Sequence, residues 1–315
     1  MNVIPIVFAF NHRVVMPAGV TFTSLLKSAD PDTFYHIHIM HGEGELNEDN
    51  KNELSRLKDH FKNFDIKFIN VGNEFDNVYV AKGIPKLTYY KIAVSERIPE
   101  YDKVILSDVD IIYTGDLWDV YNTTKFGTNN YIGAVKAAIC TSYMTDIGCD
   151  MDTYINCGFM VYNLKGMRSD KTLIDRQKEL CGKKWLYLDQ DIVNIVFKGK
   201  IIFLPPKYNS TFSVFISSGD PNGVLSQKYS QTEIQEALNP IVIHYTGTNP
   251  WQGFCLRHDI WWEYYRDSIY FDYSFYVNHY TKLIKPTINE GIKSFAGVLK
   301  SNIGKVYKKL FFSKS

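Results

Sequence analysis

The run VILSDVDIIY at residues 104–113 decides the fold class of this chain. Its two flanks are rich in β-branched and other apolar residues, a composition typical of a buried central strand. Two carboxylates, Asp108 and Asp110, interrupt the run two positions apart. Unpaired charges are costly inside a buried strand. The run therefore predicts a central strand that enters a loop carrying two acids in need of a partner.

The two acids have a direct chemical use. Residues i and i+2 of an extended segment point to the same side, so Asp108 and Asp110 can offer oxygens to one hard divalent cation. Open α/β sheets bind their ligands beyond the carboxyl ends of their strands, which is where these acids fall. The alternative, that either acid caps a helix or turns the chain after the strand, stays open for an isolated D-x-D.

Strand and helix patterns alternate on both sides of this run. Strand patterns occur at residues 3–10, 34–40, 65–71, 131–135, 158–162, 201–204 and 241–244. Helical patterns occur at residues 17–28, 47–61, 88–98, 169–181 and 190–197. Such alternation predicts an α/β fold with a parallel, doubly wound sheet.

Polar residues stand at the ends of three further apolar segments: Asn156 and Gly158 in YINCGFMVYNL, Asp189 and Gln190 in YLDQDIVNIVF, and His244 in IVIHYTGTNPW. Gly247 allows close backbone approach and could present amide donors to an anion. Each feature has a plainer explanation, such as a satisfied strand-end histidine or an ordinary turn. Together with the two acids they predict one polar site at the strand ends.

Length and composition bound the class of protein. The chain has 315 residues, of which 45% are hydrophobic and 22% charged, and this excludes disordered, collagenous and coiled-coil proteins. A formal net charge of +1 removes the whole-protein electrostatic argument for a nucleic-acid partner. The five cysteines form no C-x-x-C pair, and the chain shows no secretory leader pattern, so we expect reduced cytosolic thiols.

These features together resemble one family, the retaining nucleotide-sugar transferases of glycosyltransferase family 8, in particular the bacterial lipooligosaccharide galactosyl- and glucosyltransferases. The resemblance covers residues 3–251 and begins with the first predicted strand. Its landmarks are TYYKIAVSERI, DKVILSDVDIIYTGDLW, INCGFMVYNLK, DQDIVNIVF and HYTGTNPW. The resemblance implies a Rossmann-like fold of GT-A type with a mixed, mainly parallel sheet. We expect a transferase domain over residues 1–265 and an aromatic, basic tail over residues 266–315.

The resemblance also implies a UDP-sugar donor held through a divalent cation. Asp108, Asp110 and His244 match the family's metal ligands, and their oxygen and imidazole donors suit Mn²⁺, with Mg²⁺ as the alternative. The residues implied to bind the donor are these three together with Ala9, Asn11, Val109, Asn156, Cys157, Asp189, Gln190, Gly247 and Asn249.

Three residues are implied to act in catalysis. Lys91 stands where the family has Arg or Lys near the diphosphate, and it would stabilise charge on the leaving group; a solvated helix lysine is the plainer alternative. Asp189 and Gln190 match the family's D-Q pair, a sugar-binding carboxylate followed by an amide beside the anomeric carbon. Two routes stay open: same-face attack, with Gln190 orienting and the departing phosphate as base, or a covalent intermediate.

The chain departs from the family pattern at three places. Asn11 stands where the family commonly has an Asp after the first strand. The ending H-x-x-G-x-x-K-P-W appears as HYTGTNPW, one residue shorter and without its phosphate-binding lysine. Some relatives place an acid facing the sugar where this chain has Val135 and Lys136. Donor affinity and sugar identity therefore cannot be transferred from the family.

Residues 286–315 differ in character from the rest of the chain. They contain six lysines and a single acidic residue, and their apolar positions recur at spacings of three and four, the pattern of a basic amphipathic helix. Such a helix can lie on an anionic membrane surface, and the related lipopolysaccharide enzymes have comparable tails. We expect a cytoplasmic protein held peripherally on the inner face of the cytoplasmic membrane; a terminal helix packed on the domain is the alternative.

The sequence thus predicts a metal-dependent retaining enzyme that moves galactose or glucose from UDP to a bacterial surface glycan such as lipooligosaccharide, lipopolysaccharide or capsule. Three alternatives stay open. The D-x-D followed by Thr114 loosely resembles the nucleophile loop of haloacid-dehalogenase phosphohydrolases, although no later acidic metal element accompanies it. The others are a non-catalytic sugar-nucleotide-binding scaffold and a self-glycosylating protein similar to glycogenin.

Overall fold

The computed structural model of the chain describes residues 1–80 and 86–284. The strands in these residues are β1 (Asn2–Ala9), β2 (Thr33–His41), β3 (Phe64–Asn70), β4 (Lys103–Ser107), β5 (Ile111–Tyr113), β6 (Ile132–Lys136), β7 (Ile155–Asn163), β8 (Ile201–Phe203), β9 (Ser210–Thr211) and β10 (Val242–His244). The α-helices are α1 (Val15–Lys27), α2 (Glu48–Ser55), α3 (Val94–Arg97), α4 (Trp118–Thr123), α5 (Ser142–Asp146), α6 (Leu164–Ser169), α7 (Lys171–Leu180), α8 (Asp189–Val196), α9 (Phe212–Ser217), α10 (Val224–Lys228), α11 (Gln231–Leu238) and α12 (His258–Arg266). The 3₁₀-helices are His12–Val14, Arg56–Asp59, Lys86–Ala93 and Pro206–Tyr208, and residues 273–284 are also helical.

The main sheet has seven strands in the order β3-β2-β1-β4-β7-β6-β8. Strands β3, β2, β1 and β4 run parallel, whereas β7 is antiparallel to both of its neighbours, and β8 is parallel to β6. The predicted α/β fold with a mixed, mainly parallel sheet is confirmed. The chain leaves β1 toward β2 on one side and reaches β4 on the other, so the carboxyl ends of β1 and β4 border the crevice where such sheets bind ligands.

A second, three-stranded sheet has the order β5-β10-β9. The run at residues 104–113, predicted as a central strand that enters a loop, contains two strands, β4 and β5, that lie in two sheets. The N–H of Asp108 donates to Gly158 beside the main sheet (2.8 Å), and the carbonyl of Asp110 accepts from Tyr245 at the end of the small sheet (2.9 Å). The chain changes sheets at the two acids because charged side chains are costly within a buried strand.

The helix predicted at residues 88–98 is mainly a 3₁₀-helix, Lys86–Ala93, followed by the single turn of α3. Its side chains are nearly all buried, Tyr89, Tyr90 and Lys91 among them. Because the segment is buried on several sides, its packing determines that it forms a 3₁₀-helix, and its amphipathic pattern does not. The helices α4 to α6 and α9 to α12 were not predicted. Of these, α4, α5, α6, α9 and α10 have only five or six residues, too few to show a clear period.

Both faces of the main sheet are covered. Ile4, Ile6 and Phe8 of β1 pack with residues of α1 on one face, while Val7 belongs to the core under α7 and α8 on the other. Burial on both faces explains why β1 is almost continuously apolar. The sheet is thereby a rigid support for the loops at its carboxyl edge.

An aromatic layer covers the small sheet. Trp261, Trp262 and Tyr265 of α12 are fully buried against residues of β5, β10 and α1. Contact with α1 is close, since a Cβ on Gly19 would lie 2.0 Å from the ring of Tyr270. Within residues 1–80 and 86–284, none of the helices has the length and apolarity that crossing a bilayer requires. The predicted basic helix at residues 286–315 lies outside the described residues.

Candidate active site

A cleft of about 960 Å³ opens at the carboxyl ends of β1 and β4. Its walls come from both sheets, from the loops after β1 and β10, and from the start of α8. The cleft is lined by every residue that the sequence predicted for the site: Ala9, Asn11, Lys91, Asp108, Val109, Asp110, Asn156, Cys157, Asp189, Gln190, His244, Gly247 and Asn249. The structure therefore brings all of them together, while their individual roles stay predictions.

Asp108, Asp110 and His244 form a cluster on one wall of this cleft. Each offers one ligand atom, and the three atoms lie within 4.8 Å of one another. Nε2 of His244 is 3.4 Å from Oδ1 of Asp110 and 4.0 Å from Oδ2 of Asp108. The topology explains this proximity, because β10 pairs with β5 and sets His244 opposite Ile111, directly after the acidic turn.

Two neighbours fix the imidazole ring of His244. Nδ1 lies 2.9 Å from Oδ1 of Asn209, so Nε2 is the ring nitrogen that faces the acids. On another side the ring packs against bare backbone, since a Cβ on Gly158 would lie 2.1 Å from its Cε1. Burial by itself would lower the pKa of His244, but the carboxylate of Asp110 outweighs burial and the pKa is raised.

The geometry of the cluster fits a divalent cation. Two atoms bound to one such ion at its usual distances lie about 3 to 4 Å apart, which is the spacing found here. The two oxygens of Asp108 point in different directions, Oδ1 to Lys91 at 2.6 Å and Oδ2 toward His244. A salt bridge on one side therefore leaves the other oxygen available. Carboxylate oxygens with one imidazole nitrogen suit Mn²⁺ or Mg²⁺.

Lys91 lies between Asp108 and Asp189 in the cleft. Nζ is 2.6 Å from Oδ1 of Asp108 and 3.5 Å from Oδ2 of Asp189, and it donates to the carbonyl of Cys157 at 3.2 Å. Burial by itself would lower the pKa of this ammonium group, but the two carboxylates outweigh burial and hold the pKa well above its ordinary value. Lys91 is therefore a buried, permanent cation, and the alternative of a solvated helix lysine is wrong.

Asp189 is the first residue of α8 and faces Lys91. It follows Leu188, whose φ of 45° lies in the left-handed region that a leucine rarely adopts. Backbone strain of this kind occurs where a side chain must be held in a set direction. Burial raises the pKa of Asp189 to about 6, although Lys91 acts to lower it. Oδ2 of Asp189 lies 3.5 Å from Nζ of Lys91, so the buried ammonium group holds this carboxylate in place.

Gln190 is held at both ends of its side chain. Oε1 accepts from Nδ2 of Asn156 at 3.1 Å and from the backbone N–H of Cys157 at 3.2 Å. Nε2 donates to the hydroxyl of Tyr154 at 3.3 Å. Because an amide oxygen has two lone pairs, these contacts use its whole accepting capacity. The side chain is positioned firmly, and its oxygen has no lone pair left with which to attack a substrate.

A third part of the cleft wall is formed by the loops after β1 and β10. Oδ1 of Asn11 accepts from the backbone N–H of Arg13 at 3.1 Å, which fixes the first loop. In the second loop Gly247 has φ of 92°, a conformation that requires glycine. Oδ1 of Asn249 is buried and has no partner within the described part of the chain. A donor group on a ligand would satisfy that oxygen.

The cleft contains further polar residues that the sequence did not single out. Asn209 contacts His244, Thr88 acts on the carboxylate of Asp189, and Arg13 lines the cleft near Asn11. Their local patterns are uninformative: Asn209 lies in PPKYNST, which is typical of a turn. Nothing in the one-dimensional pattern indicates that this turn lies against the end of β10.

The glycosyl transferase family 8 model matches residues 5–255 of the chain. The chain is 26% identical over 178 residues to the lipopolysaccharide 1,2-glucosyltransferase of Escherichia coli K12, a match that covers 53% of this chain and 49% of the relative. It is 25% identical over 179 residues to the lipopolysaccharide 1,3-galactosyltransferase of Salmonella typhimurium, a match that covers 53% of this chain and 50% of that relative. The chain thus spans about half the length of these curated relatives.

A solved structure shares the fold. The crystal structure of the galactosyltransferase LgtC in complex with donor and acceptor sugar analogues aligns with a TM-score of 0.70 at 22% sequence identity. The alignment covers 86% of this chain and 99% of that one. The likeness confirms the GT-A type of fold that the sequence predicted.

Proposed function

Since this chain belongs to glycosyl transferase family 8, we propose that it transfers a hexose, galactose or glucose, from a UDP-sugar to a glycan hydroxyl with retention of configuration. One observation carries the proposal: the cluster of Asp108, Asp110 and His244 lies beside Lys91 at the crevice between β1 and β4. A pyrophosphate linked to a sugar needs such a combination of cation ligands and a fixed positive charge. The family gives the phosphohydrolase hypothesis no support.

The donor would lie along the cleft with its diphosphate at the cluster. We propose that Asp108, Asp110 and His244 hold Mn²⁺, or Mg²⁺ in its place. The bound cation would neutralise the charge that grows on the diphosphate as the sugar leaves. Ala9 and Asn11 would contact the nucleoside, the loop with Gly247 and Asn249 would present amide donors to the diphosphate, and Val109 would contact the donor from the turn between the two acids. These residues line the same cleft.

The remaining residues would act on the sugar. Lys91 stays charged and would stabilise the leaving phosphate, while the carboxylate of Asp189 would accept from a sugar hydroxyl. Gln190 would orient the anomeric centre, because both lone pairs of its amide oxygen are occupied. We therefore favour same-face attack: the acceptor oxygen bonds to the anomeric carbon, the carbon–phosphate oxygen bond breaks, and the acceptor proton passes to the departing phosphate.

For the acceptor we propose a bacterial surface glycan such as lipooligosaccharide, lipopolysaccharide or capsule. Two of the relatives are named lipopolysaccharide glycosyltransferases, one for glucose and one for galactose. A membrane-linked acceptor would agree with attachment through residues 286–315, whose lysines and apolar positions favour an anionic surface.

A donor screen tests the proposal. Purified protein is incubated with UDP-glucose, UDP-galactose and other nucleotide sugars, with Mn²⁺ or with a chelator, and the release of UDP is measured with and without lipooligosaccharide. We expect Mn²⁺-dependent UDP release with at least one UDP-hexose and a mass increase of the acceptor. Binding of Mn²⁺ and UDP without turnover would indicate the scaffold, and a mass increase of the protein itself would indicate self-glycosylation. If neither Mn²⁺ nor UDP binds, the proposal is wrong.

A further inference from the structure

A chain of hydrogen-bonded side chains runs along the floor of the cleft and joins its two ends. Nδ1 of His244 contacts Oδ1 of Asn209 (2.9 Å), Nδ2 of Asn209 donates to Oδ1 of Asn156 (2.8 Å), and Nδ2 of Asn156 donates to Oε1 of Gln190 (3.1 Å). Asn209 is the central member and is only 1% exposed. Building on the proposed function, we infer that Asn209 is a positioning residue that sets the tautomer of His244 and couples the cation cluster to the sugar-binding amides.

Two backbone N–H groups fix the direction of every hydrogen bond in this chain. The N–H of Gly158 donates to the side-chain oxygen of Asn156 at 3.0 Å, and the N–H of Cys157 donates to that of Gln190 at 3.2 Å. A backbone N–H can only donate, so the atoms it meets on Asn156 and Gln190 must be oxygens. Their amide nitrogens are then donors, and neither side chain can be turned over without losing a backbone partner.

The fixed direction is passed on to Asn209 and from there to His244. Because the oxygen of Asn156 can only accept, the atom of Asn209 that faces it must be the amide nitrogen. The other atom of this amide, its oxygen, then faces Nδ1 of His244, which must carry a proton. In the neutral ring that binds a cation, the proton therefore stays on Nδ1 and the lone pair lies on Nε2, which faces Asp108 and Asp110. The ring needs no rotation to present that nitrogen to a cation.

The opposite end of the chain has an anionic anchor. Nε2 of Gln190 donates to the hydroxyl of Tyr154, whose proton goes to the fully buried carboxylate of Asp191. Asp191 also accepts from Tyr143 at 2.7 Å and from the backbone of Tyr187 at 2.9 Å. Every amide between this carboxylate and His244 is therefore held at both ends, and Asn209 is the member that contacts His244 directly.

Direct measurement of Mn²⁺ binding tests the inference. Calorimetry or the EPR signal of free Mn²⁺ gives the dissociation constant for the full chain and its variants. Loss of a partner that orients a metal-binding histidine weakens metal affinity about 10- to 100-fold, and we expect this for Asn209→Ala. Asn209→Asp keeps an acceptor for Nδ1–H, so its affinity should return to within about threefold of the original protein. The carboxylate of Asn209→Asp cannot donate a hydrogen bond to the oxygen of Asn156, so the rate of sugar transfer should remain below that of the original protein.

Asn163 supplies the matched control. Its side chain likewise makes two hydrogen bonds, to Asn130 and Gly166, at the other end of β7. Asn163→Ala should lower the melting temperature without changing Mn²⁺ affinity. If Asn209→Ala does not fold, Asn209→Ser, which retains a small polar side chain, enters the same comparison. Unchanged Mn²⁺ affinity in the folded variant would overturn the inference.

A second readout needs no cation. Long-range ¹H–¹⁵N spectra of the histidine rings report which nitrogen carries the proton, and His244→Ala identifies the signal. The spectra are recorded at a pH at which the ring is neutral, where we expect Nδ1–H in the original protein and in Asn209→Asp, and a mixed or Nε2–H ring in Asn209→Ala. The same tautomer in all of them would refute the role of Asn209. If the original protein does not bind Mn²⁺, the proposed function is wrong. The ring spectrum would still test the role of Asn209, because it does not depend on a cation.

Discussion

The two ends of the cleft differ in how their polar groups are satisfied. At the cation end, formed by Asp108, Asp110 and His244, Nε2 of His244 lies 3.4 Å from Oδ1 of Asp110 and 4.0 Å from Oδ2 of Asp108. At the sugar end, the amides of Asn156 and Gln190 are fully engaged by side chains and backbone. The cation end has lone pairs that can bind an ion. At the sugar end, the hydrogen bonds fix the positions of the two amides. Lys91 bridges the two.

The largest effect is expected from removing a ligand at the cation end. Asp108→Asn replaces an anionic oxygen that faces both Lys91 and His244. We expect Mn²⁺ binding to become undetectable by calorimetry and UDP release to fall by on the order of a thousandfold or more, because several kcal/mol of charge stabilisation are lost.

Asp102→Asn is the control for Asp108→Asn. Asp102 is exposed and pairs at the surface with Lys165 and Arg168. Surface ion pairs of this kind contribute little, so turnover and Mn²⁺ binding should be unchanged. Near-normal activity of Asp108→Asn would show that the cluster does not hold a functional cation and would remove the contrast between the two ends.

An intermediate effect is expected at Gly158, where the cation end depends on bare backbone. A methyl group there would lie 2.1 Å from Cε1 of His244 and would push the imidazole out of place. Gly158→Ala should weaken Mn²⁺ binding by on the order of a hundredfold, as expected when one ligand is displaced. Gly182→Ala, where no atom lies within 4 Å of the added methyl, should bind Mn²⁺ normally. Equal affinity in both variants would contradict the packing described for His244.

The smallest effect on turnover is expected at the sugar end. Asp189→Asn keeps the shape of the side chain but weakens its hydrogen bonds to a sugar, and we expect transfer to fall about 10- to 50-fold, in line with the loss of one or two such bonds. The dissociation constant for Mn²⁺ should stay the same within error, since Asp189 is not a ligand. A large change in Mn²⁺ affinity would mean that Asp189 contributes to the cation site.

The same variant should change stability in a pH-dependent way. The pKa of Asp189 in the folded protein, about 6, lies above its ordinary value of 3.8, so the folded state favours the protonated form. Ionisation therefore destabilises the fold as pH rises through this range, by at most roughly 3 kcal/mol. Asp189→Asn should melt at a higher temperature than the original protein at pH 8, and the difference should vanish below pH 4. A constant difference across pH would refute the raised pKa.

Much of the site could be predicted because chemical irregularities stand out from apolar runs. Asp108, Asp110 and His244 are polar residues at the ends of buried strands. The other site residues were predicted from the family resemblance, which the D-x-D and D-Q segments carry. Asn209 could not be found in this way, since its turn has no pattern that relates it to His244. The burial of Lys91 was equally hidden, because a lysine in a helical pattern normally lies in solvent.

By itself the sequence determined the α/β class, the main strands and the identity of the polar residues at the carboxyl edge, because periodicity and composition report local burial. The tertiary structure alone decided that the run at residues 104–113 divides between two sheets and that β10 sets His244 against the acidic turn. It also decided which nitrogen of His244 faces the acids. Such relations depend on strand pairing and on hydrogen bonds between distant segments, which no local pattern encodes.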